Sequence, residues 1–384
     1  MSQTIKELAE LARTRPMRLK EKKAQGKKVI EFTGQYVPDA MIYAAGAEPY
    51  YLGRGGEPEP PDAVLPYMLR FMNPYARSQV GFYLLDLDPV TPITDLIVAQ
   101  QTDCHVGRIS ELMEYLELPV FKVGVPSDWK KEIAYEYYHK ALGRLKTKLE
   151  EVTGNEITEE TLKEKVEETN RIHELLRKIG ELRKQDAPPI GGYDFIRLNH
   201  YSLLVEPEVV IEKLEKLYEE LKGAEGVFAA DAPRVLLAGR IVAIGDYVPI
   251  KLIEEAGALI AVEMLDEGVR PYFWDVAVNG DTVKSLSEAL YLRKTPPSIF
   301  QPAWKERMGR MKELIEAYRI DGVIWYQLSF DEIYDMECSC VLKWMDEMGV
   351  PILKLESSYE YSREATGPLT TRIESFVETL KERR

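Results

Sequence analysis

The stretches "KKVIEFTGQYVPDAMIYAAGAEPYYL" (27–52) and "RVLLAGRIVAIGDYVPIKLIEEAGALIAV" (234–262) share one grammar. Each runs from an apolar strand to a glycine, then into a helix ending in Ala-Gly-Ala before a second apolar strand. In the first, Val29, Ile30 and Phe32 read as the strand and Gly34-Gln35-Tyr36 as the turn. Pro38 suits the first turn of a helix, and Gly46 suits its end. Strand and helix go on alternating through "TDLIVAQQTDCHVGRISELMEYL" (94–116) and "PVFKVGVPSDW" (119–129). That alternation is the pattern of a doubly wound parallel sheet. The second stretch opens another, completed by "DGVIWYQLS" (321–329) and "VPILKLES" (350–357). The fold class expected is therefore α/β, with two Rossmann-like domains built on parallel sheets and a helical block between them. The boundaries expected are 1–127, 128–188 and 189–384, with helices at 63–85, 207–222, 331–348 and 369–382. The helical block breaks at "TGNEIT" (153–158), where Thr158 is the expected N-cap.

Composition narrows the function. The chain has 384 residues, 45% hydrophobic and 30% charged, with a formal net charge of −14. So acidic a chain is not expected to bind nucleic acid, which needs a basic surface. No apolar run approaches the ~20 residues that span a bilayer, so no membrane segment is expected. The first residues read as a charged helix without a secretory apolar core, and three cysteines give no disulfide framework. Both features give the expectation of a cytoplasmic protein.

Neither glycine turn, at 34 or at 239, is a GxGxxG fingerprint, and no P-loop, HExxH or CxxC occurs. His139 and His173 fall on charged helices and are expected at the surface. Cys338 and Cys340, two apart on a helix, point away from each other and cannot share a metal there. Polar groups gather instead at strand ends, where open α/β sheets bind ligands. These places are Gln35-Tyr36, Asp103-Cys104-His105, Ser329 to Glu332, and the segment "EMLDEGVRPYFWD" (263–275) with Asp266, Glu267, Arg270 and Asp275.

Several of these stretches, read in order, resemble the 2-hydroxyacyl-CoA dehydratase / benzoyl-CoA reductase family over nearly the full length. They are "YVPDAMIYAAGAEPYYLG", "DCHVGRISELMEYL", "VPSDW", the run through "RPYFWD", "KTPPS", and the C-terminal strand with its Gly-x-x-x-x-Arg-Ile-Glu-x-Phe pattern. The resemblance implies a subunit paired with a homologous partner as a heterodimer. It implies a 4Fe-4S cluster held by cysteines in the interdomain cleft, and a CoA thioester substrate. ATP enters only through a separate ATP-hydrolysing activator protein, which donates one electron for ketyl-radical dehydration or for ring reduction.

Carried onto this chain, the ligand positions depart from the family pattern. Cys104 stands at one cluster position, Asn73 at a second, and Asp331 or Ser329 at the third, with Cys338 seven residues further on. Two readings stand within the family: a non-standard cluster on this chain, or a chain that supports a partner carrying the cluster. A non-redox acyl-CoA or small-ligand binding protein on the same fold is the alternative. For substrate, the resemblance points to Gln35 and Tyr36 at the first turn, and to Arg270 with Asp266 after the later strand.

Overall fold

The computed structural model describes residues 2–300 and 303–384. It holds two four-stranded sheets, parallel throughout. The first contains β1 (Val29–Phe32), β2 (Glu48–Tyr51), β3 (Leu96–Gln101) and β4 (Val120–Gly124), in the order β2-β1-β3-β4. The second contains β5 (Arg234–Ile241), β6 (Leu259–Glu267), β7 (Gly322–Leu328) and β8 (Ile352–Ser357), in the order β6-β5-β7-β8. The orders match strand for strand, as the repeated grammar implies. Every residue of β1, β2, β5 and β7 is buried, as expected of parallel strands covered on both faces.

Alternation along β7 divides two cores. Val323 and Trp325 face a core that runs inward to Tyr36, after β1, and to Tyr138 of the helix Glu132–Thr153. Ile324, Tyr326 and Leu328 face an outer core closed by Ile373, Val377 and Leu380 of the C-terminal helix. Period-2 burial on both faces contributes about 1.5–3 kcal/mol for each large apolar side chain.

Between the sheets lie the helices Glu132–Thr153, Glu159–Glu181, Gly192–Leu204 and Pro207–Lys222. Gly154 ends the first in a left-handed conformation, and the Thr158 hydroxyl caps the next by accepting from Thr161 N–H. The N-terminal helix Gln3–Ala24 packs Ile5 and Leu8 against Leu175, Leu214 and Leu217 of this block. Its Arg15, wholly buried, pairs with Glu48 at 2.9 Å and with Glu206.

Three sequence expectations change. The helix expected at 63–85 is two helices, Glu59–Ala63 and Pro74–Leu84, with irregular chain between. A residue before proline is driven out of the α region, and Asn73, at ψ 125°, caps the second helix instead. The C-terminal helix begins at Arg363 under a Ser362 cap and carries Pro368 inside it. His173 is buried, not at the surface: its Nδ1 lies 3.0 Å from the Trp274 carbonyl oxygen, and burial lowers its pKa to about 4.

In both sheets the chain leaves the central strand for one neighbour and returns on the opposite side. The switch points therefore fall at the carboxyl ends of β1/β3 and β5/β7, where a crevice opens. Hydrogen bonds of Ile244, after β5, with Gly53 and Gly55, after β2, tie the two sheets' connections together at 2.9 and 3.0 Å.

Candidate functional site

Arg240, near the end of β5, stands where the carboxyl ends of the two sheets meet. Its guanidinium reaches Asp103 after β3 at 2.6 Å, Asp331 after β7 at 3.1 Å, and Glu267 at the end of β6 at 3.4 Å. All four side chains are at most 8% exposed. Each local structure has a cause. Asp103 caps the helix Cys104–Tyr115, accepting from His105 and Val106 N–H at 2.8 and 3.0 Å, and so turns its other oxygen inward. Phe330 adopts φ 62°, rare for an aromatic residue, in the sharp turn that leads from β7 to Asp331. The Glu267 carboxylate also accepts from Gln100 at 2.9 Å, and Gln100 in turn accepts from Tyr36 N–H at 3.1 Å.

Gly34 makes room for this chain of contacts. At φ 67°, a Cβ there would lie 1.8 Å from the Gln100 amide carbon.

One guanidinium thus faces three carboxylates in a buried space. Burial pushes Asp331 and Glu267 above the usual carboxylate range, although Arg240 opposes the shift in both. Burial opposes ionisation of Asp103 too, but there Arg240 and the cap hydrogen bonds prevail and its pKa falls. Arg240 itself stays charged despite burial, because the carboxylates surround it.

The expected cluster residues are placed as follows. Asn73 and Asp331 come together: the Asn73 amide donates to the Asp331 carboxylate at 2.8 Å. The Asn73 carbonyl oxygen is spent on capping Tyr75 N–H and Ala76 N–H. Cys104 opens its helix with an exposed side chain. His105 Nδ1 accepts from Asn73 N–H at 3.4 Å, and Nε2 faces Glu332 at 3.6 Å. Ser329 donates outward to Glu356. Cys338 is buried in the core with Trp325 and Tyr334, and burial pushes its thiol up to about 11. Cys340 is exposed, as two-residue spacing on a helix requires.

These residues do not fit a 4Fe-4S cluster. Such a cluster needs a cage of thiolates. Here one thiol lies at the rim and a second is held protonated in the core. The other two positions are an amide and a carboxylate bonded to each other, with a guanidinium on the carboxylate. Among the described residues, no three His, Cys, Asp or Glu side chains are grouped to hold a metal.

Of the expected substrate residues, Gln35, Asp266 and Arg270 line one small cavity, whereas Tyr36 is buried in the core. Gln35 donates to the Val269 carbonyl at 2.6 Å, and the Tyr36 ring packs edge-on against Tyr138. Asp266 accepts from Arg307 at 2.8 Å and from Tyr334 OH at 2.8 Å. Arg270 ties Asp39 of the first domain, at 2.7 Å, to Ser202 of the helical block. Sequence reasoning placed Glu267 among the polar groups after a strand but missed Arg240, Gln100 and Lys294. A charged residue inside the apolar run "RVLLAGRIVAIG" was the available signal for Arg240, since an arginine is rarely buried unless paired.

Comparison with known proteins agrees with this architecture. A family model described as 2-hydroxyglutaryl-CoA dehydratase, D-component, matches residues 35–380. A protein named as a dehydratase subunit, YjiM of Escherichia coli (strain K12), is 24% identical over 81% of each chain. The (R)-2-hydroxyglutaryl-CoA dehydratase subunit beta of Acidaminococcus fermentans is 23% identical over 99% of this chain and 100% of its own. A benzoyl-CoA reductase subunit of Thauera aromatica is 23% identical over 92% of this chain and 91% of its own. With a parallel two-sheet fold, a cleft at its switch points and a family match over most of its length, the chain belongs to the 2-hydroxyglutaryl-CoA dehydratase D-component family.

Proposed function

We propose that this chain is a subunit of an acyl-CoA dehydratase or aromatic acyl-CoA reductase complex in which the 4Fe-4S cluster belongs to the homologous partner subunit. The relatives' names support membership of such a complex, since they are subunits of two such dehydratases and one such reductase. The observation that carries the assignment of the cluster is that, of the implied ligand positions, Asp331 is held by Arg240 and by Asn73, which leaves Cys104 as the one thiol there. In this reading the complex is cytoplasmic and acts on a CoA thioester by one-electron chemistry, with ATP used by a separate activator protein.

This chain's own residues then shape and hold the substrate cleft. Arg240 fixes the two sheets against each other by binding carboxylates from both. Gln100 passes that constraint to the turn at Gln35 and Tyr36 by accepting from Tyr36 N–H. Tyr36, Gln35, Arg270 and Asp266 border the acyl group, in a frame set by their own hydrogen bonds. Preorganised polar groups of this kind orient a bound thioester without reorganising as charge develops.

Turnover tests the reading. The complex of this chain with its partner and activator should convert a 2-hydroxyacyl-CoA or benzoyl-CoA only when ATP is supplied. Cys104→Ser in this chain should leave that turnover within about twofold, the scatter expected of an exposed substitution that removes no buried contact. No turnover in any combination points to the alternative of a non-redox binding protein.

A further inference from the structure

A groove of about 590 Å³ runs between the helices Trp304–Tyr318 and Glu332–Glu347, beside the carboxyl end of β7. That is within the range of small-ligand sites, about 300–1,000 Å³. Its walls include Phe300, Trp304, Ile333, Met336, Cys340 and Trp344. Helical spacing makes the second wall, because positions 333, 336, 340 and 344 recur every three or four residues and share one face. Trp304 is 51% exposed and Met336 64%, so the groove stands open. Adjoining exposed apolar side chains of this size mark an interaction site.

The groove has an inner and an outer end. At the inner end, Ile333 follows Asp331 by two residues, and the buried Phe300 ring packs on Tyr36 at 5.6 Å. From Ile333 to Trp344 the helix face runs outward for about 16 Å, at about 1.5 Å per residue. At the outer end the Trp304 and Trp344 rings lie 6.0 Å apart, tilted by 32°. Lys305 Nζ stands 5.3 Å from the centre of the Trp304 ring, and Lys343 immediately precedes Trp344. Neither lysine forms an ion pair among the described residues, whereas the nearby Glu306 and Glu337 are taken by Lys130 and Arg307.

We propose that this groove holds the nucleotide end of the CoA thioester, with its adenine stacked on Trp304 beside Trp344 and its phosphates at Lys305 and Lys343. The pantetheine arm then follows Met336 and Ile333 toward the strand ends. This rests on the acyl-CoA reading above and adds where the CoA moiety lies. Two features select the nucleotide end over the acyl end. One-electron chemistry needs its reacting carbon shielded from water, and Trp304 and Met336 are open to it. An aromatic platform flanked by cations matches a base joined to phosphates, and the acyl chain carries neither.

The test is calorimetric binding of CoA, ADP and pantetheine to the complex of this chain with its partner, without the activator, alongside thioester turnover with it. Wild type should bind CoA and ADP, and pantetheine far more weakly. Trp304→Ala should weaken CoA and ADP binding roughly 5- to 100-fold, the range for losing a stacked base, and raise the thioester KM similarly while kcat holds. Lys305→Glu should weaken both ligands as well, and steepen neither on added salt. Unchanged CoA binding by Trp304→Ala, or pantetheine binding as tight as CoA, overturns the groove assignment, while turnover by the wild-type complex keeps the acyl-CoA reading. A Trp304→Ala chain that folds but no longer joins its partner marks the groove as a subunit contact and overturns the assignment too. A wild-type complex that neither binds CoA nor turns over a thioester overturns both. If Trp304→Ala fails to fold, Lys305→Glu and the wild-type ranking of CoA, ADP and pantetheine decide.

Discussion

At the scale of single residues, the cleft is governed by a charge imbalance. One guanidinium holds three carboxylates, so the effects of removing partners are unequal. Arg240→Met leaves buried carboxylates uncompensated and should cost about 3–5 kcal/mol in urea denaturation. Asp331→Asn removes surplus negative charge while keeping a polar group beside Asn73, and should cost about 1 kcal/mol or less. Equal costs would mean that the network is not centred on Arg240. Gly34→Ala should cost about 2–3 kcal/mol, from left-handed strain of about 1–2 and displaced Gln100 hydrogen bonds of about 1. Of this site the sequence made visible the places, because strand ends and a lone Cys104 are readable from pattern. It did not reveal that Asn73 and Asp331 bond each other, because partners 258 residues apart meet only through the facing of two sheets.

Among the elements, the N-terminal helix is tied down by charge as well as by its apolar face. Arg15, Arg18 and Lys22 converge on Glu206, just before the helix Pro207–Lys222. Burial opposes ionisation of Glu206, but Arg15 and Arg18 outweigh it and hold the carboxyl down at about 2. A carboxyl depressed on folding contributes stability above its unfolded pKa and loses it as pH falls through the folded value. Glu206→Gln should therefore destabilise the protein by about 2 kcal/mol at pH 7, discounted for partial exposure. The gap between variant and wild type should close between about pH 4.5 and 2, the two carboxylate values. A gap that persists unchanged at pH 2 would refute the ion cluster as its source. Amphipathic helices and strands were legible in the sequence from their periodicity. Helix starts were not always so: Pro74 and Pro368 look alike in sequence, yet one opens a helix and the other is accommodated inside one.

For the whole molecule, the repeated grammar of 27–52 and 234–262 translated directly into two sheets of identical strand order. Repetition of a supersecondary unit survives in sequence because each copy must bury both faces of its strands. The relation of the two sheets was less legible, since it rests on single polar contacts such as Arg240 to Asp103 and on the short bridge to Ile244. That relation also carries the central functional claim: where the resemblance implies ligands, Asn73 and Asp331 are bound to each other and to Arg240, and Cys104 alone offers a thiol. The direct measurement is the iron and acid-labile sulfide content, with EPR, of each subunit after anaerobic purification of the complex and separation of its chains. The account predicts cluster iron on the partner, none in stoichiometric amount on this chain, and the same counts with Cys104→Ser. A full cluster on this chain that disappears in Cys104→Ser would contradict it.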